Sequence, residues 1–304
     1  MHKIIKLGPV RYIKERIMRK SFNLMTKKSM NIFVRGKDIG AVRPQIFGVH
    51  EERLTKFIEV TAQEGNSDFF IDIGANVGLS SCQNGNSFSK VICFEPNPLV
   101  ANILKTNLSI CLPESSFEVC EFALGEEDGS FDLFIPKHNW GGAFIKHDNQ
   151  YPEDLLYKKD GFDAFDLKNY IVSNIKVKAS KNVFSNLFST LIEENLKKGV
   201  IKIDAEGYEE LIISSIANTL PAQLDVVIVF ENWNQKFDFN KVRNHFSGRD
   251  ILFKKLFRSI TGTKKSLIRK VIEFAFIGES TYIDVLNEEG SVVGDIIIDT
   301  NQGS

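Results

Sequence analysis

The chain has 304 residues, 43% of them hydrophobic, and a formal net charge of -1. That length supports a sizeable core in one large or two unequal units, and the near-neutral balance excludes a nucleic-acid footprint spread over the whole molecule. The charge is unevenly placed: residues 1–37 hold eleven Lys or Arg and a single Glu. Cys82, Cys93, Cys111 and Cys120 form no CxxC pair and have no His ligands spaced around them. They are expected to be reduced, mostly buried thiols of an intracellular protein, with no zinc or other metal site among them. The basic start lacks a long apolar core and a small-residue cleavage site, so no signal peptide is expected. No run reaches the length of a membrane span.

Residues 4–30 are basic and partly periodic in apolar residues, which predicts a helix over about 10–28, either packed on the domain with a solvated basic side or attached to anionic lipid or a lipid-linked substrate. Residues 31–50 read as short strand-like pieces broken by Gly36, Gly40, Pro44 and Gly48. A helix over 51–64, with Leu54, Phe57, Ile58 and Val60 inward, leads into a buried strand at 69–72. The glycine turn Gly74-Ala75-Asn76-Val77-Gly78 then opens a short helix from Leu79. A second strand at 91–95 ends in Glu95, followed by Pro96-Asn97-Pro98 and a helix over 99–108 that Pro98 is well suited to start. Strands follow at 117–122 and 130–135. Residues 136–170 are the least regular part. An extended piece at 172–179 and a helix at 187–196 precede a buried strand at 200–203 ending at Asp204. A helix at 209–217 and a strand at 225–230 ending at Glu231-Asn232 come next. Residues 250–270 are basic again, and strands at 281–286 and 292–298 are placed beside the same sheet.

The repeated unit is strand, polar strand end, helix. It predicts an α/β fold, a doubly wound, mostly parallel sheet with helices on both faces, preceded by a basic extension over residues 1–50. Residues 51–304 are expected to form one domain, with an irregular insertion near 136–170 and the basic segment at 250–270. In such sheets ligands sit beyond the carboxyl ends of the strands, where Asp72, Glu95, Asp204 and Glu231 lie. A dinucleotide loop would read GxGxxG. Here only Gly74 and Gly78 remain, and Asn76 stands where a pyrophosphate needs bare backbone. An adenosine cofactor without phosphate fits better. S-adenosylmethionine is one: it needs close backbone approach to its amino-acid part and an acid for its ribose diol, which Glu95 supplies as an acceptor-only carboxylate.

The stretches FIDIGANVGLSS (70–81), ICFEPNP (92–98), ALGEEDGS (123–130), IKIDAEGYEELII (201–213) and VIVFE (227–231) resemble, in order, the FkbM family of S-adenosylmethionine-dependent methyltransferases. The resemblance implies a class I methyltransferase fold and mostly O-methylation of sugar hydroxyls in surface polysaccharides, glycolipids and natural products. It implies cofactor contacts from Asp72, Gly74, Ala75, Asn76 and Gly78, a ribose acid at Glu95 with Pro96 and Asn97 beside it, and an adenine edge at Glu121-Phe122-Ala123. Lys202, Asp204, Glu206 and Gly207 match the KIDxEG motif at the active-site side. One departure is visible: the family commonly carries a Thr-Leu-Asp type segment before that motif, and the region 182–190 has no acid here.

Methyl transfer to an alcohol needs donor and acceptor held in line and a group to take the hydroxyl proton. Asp204 is the first candidate base and Glu206 the second, with Asp204 also beside the cofactor. His138 and His147 are candidate substrate-side bases in the insertion, Lys202 would neutralise clustered carboxylates or meet an acidic sugar, and Trp140 and Trp233 would stack on a sugar ring. Four other readings stay open: a Mg²⁺-assisted diol methyltransferase using Asp204, Glu231 and Asn232, an NAD-dependent sugar oxidoreductase, an RNA methyltransferase, and a non-catalytic binding protein. The expected partners are a sugar or glycan, free or lipid-linked, and no nucleic acid. The expected location is the cytoplasm, including the inner face of the membrane, with homo-oligomers open.

Overall fold

The computed structural model describes residues 9–36, 42–113, 116–233, 237–246, 248–259, 280–286 and 292–300. The calls on residues 260–279 of the basic tail lie outside them. Helix α1 (Pro9–Met25) is followed by α2 (Val42–Phe47) and α3 (Glu52–Gln63). Two expectations change here. The described side chains of α1 are exposed instead of packed on the domain, and residues 31–36 form no strand while 42–47 is helical.

Strand β1 (Phe69–Ile73) leads through the glycine turn to α4 (Leu79–Asn84), β2 (Lys90–Phe94), α5 (Pro98–Cys111) and β3 (Ser116–Cys120). Next come β4 (Ala123–Gly125), β5 (Gly129–Pro136), β6 (Phe144–Ile145), α6 (Glu153–Lys158) and β7 (Tyr170–Ala179). The chain continues through α7 (Ser180–Glu193), β8 (Lys198–Ile203), α8 (Glu209–Thr219), β9 (Asp225–Asn232), α9 (Phe239–His245), β10 (Leu252–Ser259), β11 (Ser280–Val285) and β12 (Gly294–Asp299).

The main sheet has eight strands in the order β11-β10-β12-β9-β8-β1-β2-β3. From β3 to β9 neighbouring strands pair parallel, and the order reverses at β1. Strand β12 pairs antiparallel with both β9 and β10, so the last strands do join this sheet and make it mixed.

Alternation along β1 shows why it is central. Phe69, Ile71 and Ile73 face a core shared with Phe184 and Phe188 of α7 and Ile212 and Ile216 of α8. Phe70 faces the opposite core with Leu54 and Ile58 of α3 and Leu104 and Leu108 of α5. A strand buried on both faces reads as a continuous apolar run. Phe184 and Phe188, in the stretch where the family carries an acid, are both fully buried and make up core.

A second, four-stranded sheet, β4-β7-β5-β6, was not foreseen. Its strands look in sequence like loose extended pieces, because their partners are far apart: Phe131 pairs with Ile175 and Leu133 with Ser173.

The two sheets meet around the carboxyl ends of β1, β2 and β8. Gly74 sits there at φ +76, and a Cβ would lie 1.8 Å from the Asp204 carbonyl oxygen. Gly74→Ala is therefore expected to destabilise the protein by more than the roughly 1–2 kcal/mol of a left-handed residue alone, since backbone must also move. Thermal unfolding of the variant checks this; an unchanged melting temperature would refute it.

Candidate active site

A cleft opens at this junction. Its floor is Ile73, Gly74 and Asn76 after β1, and Phe94, Glu95 and Pro96 after β2. Asp204, Ala205 and Glu206 after β8 form one end. Phe122, Ala123, Leu133, Phe144 and Ile145, mostly from the second sheet, make an apolar wall.

Glu95 is 6% exposed and lines this cleft. One carboxylate oxygen accepts the Asn76 N–H at 2.7 Å and the other the Asn97 N–H at 2.8 Å. Asn76 itself lies in the left-handed region at φ +50, within the tight turn that carries its N–H to the neighbouring strand end. Each oxygen keeps acceptor capacity for a further donor. Burial pushes the Glu95 carboxyl up to about 7, against the pull of the two N–H groups.

Asn97 has three tasks. Its N–H holds Glu95, its Oδ1 caps α5 by accepting from Leu99 N–H at 3.0 Å, and its Nδ2 donates to the Trp140 carbonyl at 2.9 Å. That last bond draws the turn Trp140–Gly142 over the cleft. Gly141 is needed there, because a Cβ would lie 2.2 Å from Asn76 Nδ2. The Trp140 indole N–H is buried with no hydrogen-bond partner among the described residues, in a residue that lines the cleft.

Asp72 and Lys202 stand beneath this floor. They are register partners on β1 and β8, and Lys202 Nζ lies 3.1 Å from Asp72 Oδ1. Ser81 Oγ donates to the other Asp72 oxygen at 2.7 Å. Neither Asp72 nor Lys202 lines the cleft, and both brace the turn from below. Ala75 and Gly78 likewise shape the turn from outside: Ala75 N–H donates to Phe94 O, and Gly78 caps α4 at φ +86.

Asp204 remains partly exposed, its side chain at 45%, with Lys202 Nζ 3.8 Å away. It lines the main cleft and also an adjoining recess with Glu51, Lys202, Glu231 and Asp295. Burial, then Asp204 and other carboxylates, push Glu231 up to about 7.

Glu206 is less free than the motif suggests. Its carboxylate pairs with Lys159 Nζ at 2.6 Å, and burial raises its pKa against that ammonium. Lys159 comes from the insertion, and no local pattern singles it out. Glu209 is a second residue missed in sequence. It is 6% exposed and accepts from Ala205 N–H at 3.0 Å and Gly207 N–H at 3.0 Å, bracing the loop that presents Asp204. Its position three residues after Glu206, opening α8, was the available signal.

The structure separates several other candidates from the cleft. His138 Nε2 is 3.0 Å from the Asp160 carbonyl. His147 stacks on Phe131 with centroids 4.5 Å apart and pairs with Asp148. Glu121 is exposed and held by Lys105 Nζ at 2.6 Å, while its neighbours Phe122 and Ala123 do line the cleft. Trp233 is 50% exposed and lines neither the cleft nor the recess. Asn232 is 3% exposed, donates from its amide to the Val292 carbonyl and lines neither cavity.

The fold is α/β, with a cleft at the carboxyl ends of its parallel strands, where sheets of this kind take their ligands. The model of the methyltransferase FkbM domain matches residues 72–258, and the chain belongs to that family. It is an S-adenosylmethionine-dependent methyltransferase. Methyltransferase sdnD of Sordaria araneosa is 20% identical over 175 residues, covering 55% of this chain and 68% of that protein. Among solved structures, an O-methyltransferase from Bacillus cereus in complex with SAH aligns at TM-score 0.38 and 10% identity, covering 98% of this chain and 94% of that one. A putative O-methyltransferase from Klebsiella pneumoniae aligns at TM-score 0.36 and 10% identity, covering 98% and 93%. These distant structures carry no weight in assigning the site. No helix among the described residues is long and apolar enough to cross a membrane.

The residues present fit S-adenosylmethionine. Glu95 offers two acceptor oxygens for a ribose diol, Gly74 allows close backbone approach, and Phe122 and Ala123 give an apolar surface for adenine. When bound, this cofactor supplies a sulfonium methyl group open to in-line attack.

Proposed function

We propose that the enzyme methylates a hydroxyl group of a sugar, in a polysaccharide, glycolipid or related natural product, with Asp204 as the base. The fold is read as class I, doubly wound about β1. The observation that carries the proposal is the place of Asp204, partly exposed at the common wall of the cofactor cleft and the carboxylate-lined recess. An acceptor hydroxyl reaching Asp204 from the mouth of the recess meets several carboxylates, which suits a molecule rich in O–H donors. Asp204 would take the proton of the acceptor hydroxyl, while the cofactor, when bound, would supply the methyl group with cleavage of its carbon–sulfur bond and leave as the demethylated thioether. Lys202, close to Asp204, holds its charge in place without a direct part in the transfer. Glu206, already paired with Lys159, is left to shape the loop.

Asp204→Asn keeps the size and removes the base. It is expected to lower kcat by about 10²–10⁴-fold with cofactor affinity unchanged. Mass spectrometry of methylated product over a panel of nucleotide sugars and glycan fragments identifies the acceptor and measures the loss. Wild-type turnover by the variant would overturn the role of Asp204. A panel in which only amines or RNA gain a methyl group would overturn the sugar reading.

A further inference from the structure

We propose that helix α1 is a docking surface for an anionic lipid membrane. The inference rests on this helix alone and is independent of the acceptor assigned above. Ile13, Ile17, Met18, Phe22, Leu24 and Met25 are all between 53% and 76% exposed, so no described element covers them. Large apolar side chains scattered singly on a surface are ordinary, but a contiguous group marks an interaction site.

At about 100° per residue, these six occupy roughly half of the helix circumference, with Lys14 and Ser21 among them. Arg16, Arg19 and Lys20 fall on the other half. Lys27 and Lys28 follow the helix, and Glu15 is its one acid. Such a helix lies in the headgroup plane, its apolar side against acyl chains and its Lys and Arg stems reaching out to phosphates. The charge chooses the occupant: eleven basic residues against one Glu over residues 1–37 match an anionic surface, and a polybasic stretch adds to a shallow apolar contact what neither supplies alone.

The connection to the cleft is short. Met30 and Ile32 pack on the core. Phe33 exchanges backbone hydrogen bonds with the Asn107 side chain, which also holds the Val77 carbonyl of the glycine turn. Arg35 then stacks over the Trp140 ring at 4.4 Å. A docked helix therefore holds the Trp140 side of the cleft near the lipid surface.

The test is flotation of the full-length protein with phosphatidylcholine vesicles, with and without phosphatidylglycerol, at low and high salt. Binding is expected only with phosphatidylglycerol and is expected to weaken with salt. Removing one basic residue near the surface is expected to lower partitioning about fivefold, so Arg16→Ala/Lys20→Ala/Arg19→Ala lowers it by roughly a hundredfold. Ile17→Ser/Phe22→Ser leaves the charge alone and is also expected to abolish flotation. Cofactor affinity, unchanged in both variants, verifies that they are folded. No flotation by the wild type, equal flotation with neutral vesicles, or indifference to the basic substitutions would overturn the proposal. So would a wild-type dimer in solution that Ile17→Ser/Phe22→Ser dissociates, since the face would then belong to a second copy of the chain.

Discussion

Lys202→Met should destabilise the fold by about 3–5 kcal/mol, the range for removing one partner of a buried ion pair. Methionine keeps most of the stem volume, so the loss reports on charge. Asp72 is 0% exposed and among the described residues would keep the Ser81 hydroxyl alone as a side-chain partner; a buried carboxylate without its cation is costly. Burial opposes the Lys202 ammonium, yet Asp72, Asp204 and Glu51 together outweigh it and hold its pKa above the ordinary lysine range. The residue is therefore charged at any working pH. Asp72→Asn/Lys202→Met should recover part of the loss, because no uncompensated charge is left behind. Denaturant unfolding of the wild type, both single variants and the double variant measures the coupling. Additive losses would show that the pair does not act as a unit. The consequence reaches the site, since this pair ties β1 to β8 two residues before the place where a Cβ on Gly74 would meet the Asp204 carbonyl.

Glu95→Ala should weaken S-adenosylmethionine binding by about 10²–10⁴-fold, taking two hydrogen bonds to a charged group at roughly 1.5–3 kcal/mol each. Calorimetric titration checks it, and equal affinity in wild type and variant would remove Glu95 from the site. The same carboxylate sets a pH dependence with two opposite signs. Its folded pKa, about 7, lies above the ordinary 4.5 because burial disfavours the anion. Glu209 is raised to about 7 by burial as well. In the ligand-free protein these groups bind protons more tightly when folded. Their contribution to stability is complete below pH 4.5 and is lost as pH rises through 7. Cofactor binding runs the other way: the anion accepts from both ribose hydroxyls, and the neutral acid gives up an acceptor site to its own proton. Cofactor affinity should therefore rise from pH 6 to pH 8, while the share of ligand-free stability due to Glu95 and Glu209 falls. Affinity that is flat over this interval would show that the diol is not held by an ionised Glu95.

Much of this arrangement is local, and local features were readable. The apolar runs of β1, β2, β8 and β9, the turn at Gly74–Gly78, and the acid ending β2 are each written within a dozen residues, because a parallel strand and its following turn carry their own pattern of burial and backbone geometry. Pro98 at the start of α5 is of the same kind. The second sheet was different. Pieces such as Phe144–Ile145 are too short to show a period, and they become strands only by pairing with segments elsewhere in the chain. Helix α1 shows the converse: its basic, apolar composition was plain, but whether the domain covers it depends on where the chain goes.

The sequence alone therefore determined the glycine turn and the acid that lines the cleft beside it, since glycine φ angles, an acid at a strand end and the strand ends themselves are properties of contiguous stretches. Tertiary structure decided the acceptor half. Which carboxylate stays open at the cleft wall, that Glu206 is claimed by Lys159 and Asp72 by Lys202, and that His138 and His147 lie away from the cavity, all depend on side chains meeting across long separations, where short-range patterns carry no information about distance.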